Sequence, residues 1–96
     1  MAAKSETTVQ SRSDNPVRSV KVRYFALLKE ERGLAEETIT TGAPTLLDLY
    51  IELQQRHNFA LPAEQLRVAV DDAFVDFASP LREGDVVVFV PPVAGG

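Results

Sequence analysis

Cysteine and tryptophan are missing from this 96-residue chain, and histidine occurs once. Without cysteine there is no disulfide framework, no thiolate nucleophile and no Cys-type zinc site. The single histidine, His57, cannot build a multi-histidine metal site. Basic side chains are outnumbered, 10 Lys and Arg against 14 Asp and Glu, for a net charge of −4. The clustered basic face of a nucleic-acid binder is therefore not expected. Long apolar runs are scarce as well. The longest lies near residues 86–94, far short of the roughly 20 residues a membrane-spanning helix needs. Gly33 and Gly42 stand alone, so no Gly-rich phosphate loop is present. What the chain does have is 45% apolar residues, enough for one small domain that must fold on its hydrophobic core alone.

Charge and polarity divide the chain. Residues 1–18 sum to +1 and are rich in Ser, Thr, Gln and Asn, whereas residues 19–96 sum to −5. The first segment cannot bury enough surface to offset its ordering entropy, so a disordered extension is expected over 1–18. It has neither a signal-peptide apolar core nor the acid-poor composition of a mitochondrial presequence, which predicts a cytoplasmic protein. The acidity of the remainder predicts attraction to basic partner surfaces.

From residue 19 onward the pattern is that of alternating elements. Val20, Val22 and Tyr24 fall on one face of a strand, with Lys21, Arg23 and Phe25 on the other. Phe25 is thus out of phase with the apolar side. A short helical turn over Leu27 to Arg32 is stopped by Gly33, and Glu37–Thr41 forms a second strand. Thr45-Leu46-Leu47-Asp48 matches a capping box and opens the one long helix, whose Leu46, Leu49, Tyr50 and Leu53 recur at helical spacing. Leu66–Val70, a short stretch around Phe74, Val75 and Phe77, and Val86–Val90 supply the remaining strands. Strand, strand, helix and two or three further strands predict an α+β protein. Its architecture would be a ubiquitin-like β-grasp, a mixed sheet over residues 19–90 with one long helix on one face.

Side chains suited to catalysis are few. His57 closes the long helix, where the dipole favours imidazolium, and no motif supports a Ser–His–acid triad. Asp71-Asp72 reads as a solvated turn, because adjacent strand residues point to opposite faces. The unusual feature is the ending, Phe89-Val90-Pro91-Pro92-Val93-Ala94-Gly95-Gly96. Two prolines end sheet pairing and favour extended geometry. The last six residues then reach on the order of 20 Å. Gly95 and Gly96 have no side chains, so the terminal carboxylate fits a narrow channel and becomes the candidate reactive group.

Three segments carry a family resemblance: Val20-Lys21-Val22-Arg23-Tyr24-Phe25-Ala26, Pro80-Leu81 followed by Gly84-Asp85, and the Pro-Pro-Val-x-Gly-Gly ending. In these the chain resembles the small subunits of molybdopterin synthase, which are ubiquitin-like sulfur carriers. The resemblance implies that an ATP-dependent activating enzyme adenylates Gly96. A sulfur donor then displaces AMP to leave a C-terminal thiocarboxylate. Pro91, Pro92, Val93, Ala94 and Gly95 would enter the large synthase subunit, where sulfur passes to precursor Z (cyclic pyranopterin monophosphate). Phe25, Phe74 and Val90 would form the partner interface. The resemblance further implies a heterotetramer of two small and two large subunits and no permanently bound cofactor or metal; catalytic acid–base groups would belong to partners. Two positions depart from the family pattern: Lys29, where Arg is frequent, and Asp71, where Asn is usual. Two alternatives stay open, a thiamine-pathway sulfur carrier and a ubiquitin-like modifier conjugated through Gly96.

Overall fold

The computed structural model describes residues 17–92. The expected extension up to residue 16, and Val93, Ala94, Gly95 and Gly96 of the ending, lie outside the described residues. Five strands and two α-helices follow one another as β1 (Arg18–Tyr24), α1 (Ala26–Arg32), β2 (Glu36–Thr41), α2 (Leu46–His57), β3 (Arg67–Val70), β4 (Ala73–Val75) and β5 (Val86–Val90). A 3₁₀ turn over Ala63–Gln65, not anticipated from the sequence, precedes β3. The sheet order is β2-β1-β5-β3-β4. The first and last strands are its parallel centre, and every other pairing is antiparallel. This is the expected mixed β-grasp sheet. Strand β1 takes in Arg18, assigned by composition to the extension; its guanidinium donates to the Ala43 carbonyl at 3.3 Å.

The alternation in β1 becomes a division between the two faces. Val20, Val22 and Tyr24 are buried, together with Val87 and Phe89 of β5 and Val68 of β3. Leu46, Leu49, Tyr50 and Leu53 of α2 and Leu28 of α1 complete that core. Both helices therefore pack on one face of the sheet. Aromatic rings fill its centre, with Tyr50 and Phe89 centroids 5.1 Å apart and Phe77 stacked on Phe89 at 6.2 Å. Phe77 is half-buried against this cluster and lies beyond the end of β4, so it is a core residue rather than a strand residue.

The helix ends follow from local chemistry. Thr45 Oγ1 accepts the Asp48 amide at 3.2 Å, the expected N-cap. The Asp48 carboxylate accepts the Thr45 hydroxyl proton at 2.8 Å, so the acid turns back on the cap side chain. Gly33 ends α1 in the left-handed region at φ 80°, where a residue without Cβ is least strained. Asn58 does the same for α2 at φ 58°.

Candidate functional site

Strand β5 positions the chain ending. Val87 and Phe89 point into the core, and Val86, Val88 and Val90 are half-buried on the opposite, helix-free face. Alternation alone left the orientation of this five-residue apolar strand open. The core rings decide it, because Phe89 meets Tyr50 and Phe77. Pro91 follows half-buried and Pro92 is exposed, so the chain leaves the sheet beside its apolar centre.

The register assembles the rest of this face. Val88 lies between Arg23 of β1 and Ala69 of β3, and Ala69 faces Phe74 of β4. Val90 lies opposite Arg67. Tyr24 pairs with Phe89, so one further residue along the parallel strands sets Phe25 level with Val90. Phe25 is 49% and Phe74 is 58% exposed. They flank the strip from opposite sides; Phe74 stands three strand spacings from β1, about 14 Å. A core place for Phe74, the ordinary expectation for a phenylalanine, is not what the structure shows. Strand β4 is the sheet edge and all three of its residues are exposed.

Phe25 owes its exposure to a sharp turn. It is the N-cap of α1 in extended geometry, and its carbonyl accepts the Leu28 amide at 3.1 Å. Ala26 follows at φ 52°, a left-handed conformation that costs a residue with Cβ about 1–2 kcal/mol. The chain thus turns from strand to helix with no intervening loop.

Charge on this face differs from that of the whole chain. Lys21 and Arg23 share one carboxylate, Glu36, at 3.7 and 3.2 Å. Arg67 lies over Phe74, its guanidinium carbon 4.1 Å from the ring centroid. Of the other described carboxylates, Glu37 lies on β2, Glu30 and Glu31 on α1, Asp48 and Glu52 on α2, Glu64 in the 3₁₀ turn, and Asp71, Asp72, Asp76, Glu83 and Asp85 in turns and loops, with Asp76 lining a depression beside Arg67 and Phe74. On the paired strands of this face the cations Lys21, Arg23 and Arg67 thus outnumber the one carboxylate, Glu36, unlike the chain as a whole. Arg67 was missed at the sequence level. Its signal was its alternation with buried Val68.

The two departures from the family pattern have definite places. Asp71 and Asp72 form a two-residue hairpin turn, both at positive φ, 50° and 73°. The Asp71 carboxylate accepts the Val86 amide at 3.3 Å, while its own amide donates to the Val86 carbonyl at 3.0 Å. An aspartate oxygen thus fills a hydrogen-bonding role at this position. Lys29 is exposed on α1 in a shallow depression with Arg23, Phe25 and Glu36.

Behind the sheet, Glu37 joins three elements. It accepts the Tyr24 hydroxyl at 2.7 Å and two Arg32 hydrogen bonds at 2.9 and 2.7 Å. The Arg32 bonds foremost, and the Tyr24 bond with them, hold the Glu37 carboxyl below its usual range. Burial, then the Glu37 carboxylate, push the Tyr24 phenol well above its usual range. His57 is pushed down, first by burial and then by the Arg32 cation. Its expected stabilisation as imidazolium is thereby corrected, because burial, with the Arg32 charge, outweighs the helix end. Neither His57 nor Asp71-Asp72 forms part of a catalytic cluster. Among the described residues no group of His, Cys, Asp or Glu could hold a metal ion, and no helix is long and apolar enough to cross a membrane.

Set beside known proteins, residues 22–96 match the ThiS family. The chain belongs to that family. Among ThiS-type relatives, the molybdopterin synthase sulfur carrier subunit of Escherichia coli (strain K12) is 35% identical over 80 residues, covering 80% of this chain and 99% of its own. The human molybdopterin synthase sulfur carrier subunit is 33% identical over 86 residues, covering 84% and 98%. A solved complex of subunits 1 and 2 of molybdopterin-converting factor from Helicobacter pylori 26695 contains a chain that is 32% identical with a TM-score of 0.56, covering 81% of this chain and 99% of that one.

Proposed function

We propose that this ThiS-family chain is the sulfur carrier subunit of a molybdopterin synthase. The observation that carries the reading is the open apolar face on the same strand, β5, that runs into Pro91-Pro92. An activating enzyme transfers AMP from ATP to the Gly96 carboxylate, releasing pyrophosphate. A sulfur nucleophile attacks the acyl carbon, AMP departs, and a thiocarboxylate remains. The large subunit seats on Phe25, Phe74 and Val90 and receives Pro91 to Gly96 in its active site. The thiocarboxylate sulfur then passes to precursor Z. In this scheme no side chain of this chain has to act as acid or base. The work is cytoplasmic, where ATP is available.

Intact-mass spectrometry tests this directly. Incubation with the activating enzyme, ATP and a sulfur source should add the mass of one sulfur in place of one oxygen. Deleting Gly96 should abolish the change, and loading that survives the deletion would sink the reading. The ThiS-family match itself favours a second reading, a thiamine-pathway carrier. Copurification with a thiazole synthase instead of a large pterin-synthase subunit would select it.

A further inference from the structure

The charge on the open face bears on what can dock there. Three cations, Lys21, Arg23 and Arg67, border the Val86-Val88-Val90 strip; Glu36 is the one carboxylate paired across the strands among them, while Asp71 reaches the Val86 amide from the hairpin turn and Asp76 lines a depression with Arg67 and Phe74. Lys21 and Arg23 must share Glu36. No described carboxylate lies within ion-pairing distance of Arg67. Its guanidinium carbon instead lies 4.1 Å from the centroid of the exposed Phe74 ring, a cation–π contact. A guanidinium over a ring with no carboxylate in ion-pairing reach keeps N–H donors that can match a carboxylate with two parallel hydrogen bonds. Arg23 and Arg67 flank β5 at two strand spacings and two residues out of level, about 12 Å apart along the backbone.

We propose that the open face is built for an acidic partner surface: an apolar centre seated on Val88, Val90 and Phe74, flanked by carboxylates that engage Arg67 on one side and Arg23 with Lys21 on the other. The inference rests on the carrier reading, with the large synthase subunit as the partner. It reverses the expectation from net charge, because the field near a docking surface is set by the charges on that surface. A second copy of this chain is a poor occupant, since face-to-face pairing would oppose cation to cation.

Association of the full chain with the purified cognate large subunit, followed at low and high ionic strength, tests the proposal. Arg67→Glu should slow association about tenfold and flatten its salt dependence. Arg67→Gln should fall between Arg67→Glu and wild type. Glu36→Gln, which frees Arg23 and Lys21, should speed association about twofold. Arg56→Glu changes net charge as much as Arg67→Glu but lies on α2 behind the sheet, and it should leave the rate within about twofold of wild type. Circular dichroism of each variant checks that the fold is kept. If Arg67→Glu and Arg56→Glu behave alike while wild type binds, the acidic-partner proposal is overturned and the carrier reading stands. If wild type does not bind the large subunit at all, both fall. A wild-type dimer dissolved by Arg67→Glu in sedimentation would also overturn the proposal, in favour of self-association.

Discussion

Single residues separate stability from recognition in this protein. Phe25 and Phe74 contribute little to the core, so Phe74→Ala should lower unfolding free energy by less than about 1 kcal/mol, mostly the cation–π term with Arg67. Leu53→Ala, at a fully buried site, should cost about 2–5 kcal/mol. Urea denaturation measures both, and the two should rank oppositely in binding to the large subunit. Ala26 provides a backbone test. Ala26→Gly relieves the left-handed strain and should raise stability by up to about 1 kcal/mol, whereas Ala26→Val should lower it by more than about 1 kcal/mol. Both tyrosines of the chain are held protonated by their surroundings. Burial foremost pushes Tyr50 up to about 12, and its hydroxyl donates to the Leu61 carbonyl at 2.6 Å. With no tryptophan to interfere, ultraviolet titration should show no tyrosinate near pH 10 in the native protein. Tyrosines raised in this way add stability below their unfolded pKa of about 10 and lose it as pH rises through the folded values. Alkaline unfolding and tyrosinate formation should therefore coincide; ordinary titration of either ring in the folded state would contradict the geometry.

At the scale of elements, the junctions hold the measurable free energy. Thr45→Ala removes the N-cap of α2 and should cost about 1 kcal/mol. The β3–β4 hairpin turns on two aspartates at positive φ, where glycine at the second place is preferred. Asp72→Gly should stabilise by about 0.5–1 kcal/mol in chemical denaturation without altering the hairpin. The elements themselves were largely legible in the sequence, and for physical reasons. Val20-Lys21-Val22-Arg23-Tyr24 alternates, Leu46, Leu49, Tyr50 and Leu53 repeat at helical spacing, and Gly33 marks a stop. Less legible were the elements fixed by tertiary contact. The 3₁₀ turn Ala63–Gln65 has no periodicity long enough to read. Phe77 looked like part of a strand, yet its neighbours are the Tyr50 and Phe89 rings.

For the whole molecule, acid should weaken the fold in two steps. His57 and Glu37 both titrate lower in the folded state than in the unfolded chain. In each case the unfolded state binds the extra proton first, so stability rises with pH across the interval. On acidification, unfolding free energy should begin to fall near pH 6.5 as unfolded His57 protonates. It should fall again below about pH 4.5 as Glu37 is lost to Arg32 and Tyr24. His57→Gln should remove the first decline and Glu37→Gln should diminish the second; a urea midpoint independent of pH between 7 and 5 would contradict the His57 geometry. The sequence by itself determined the strand and helix order and the apolar face of β1. These are local properties, written in spacing and residue type. Tertiary structure alone decided which side of β5 faces the core, that Phe74 stands outside it, and that cations gather on an acidic chain's open face. Each of these depends on which strands become neighbours, and hydrophobic alternation is silent on that.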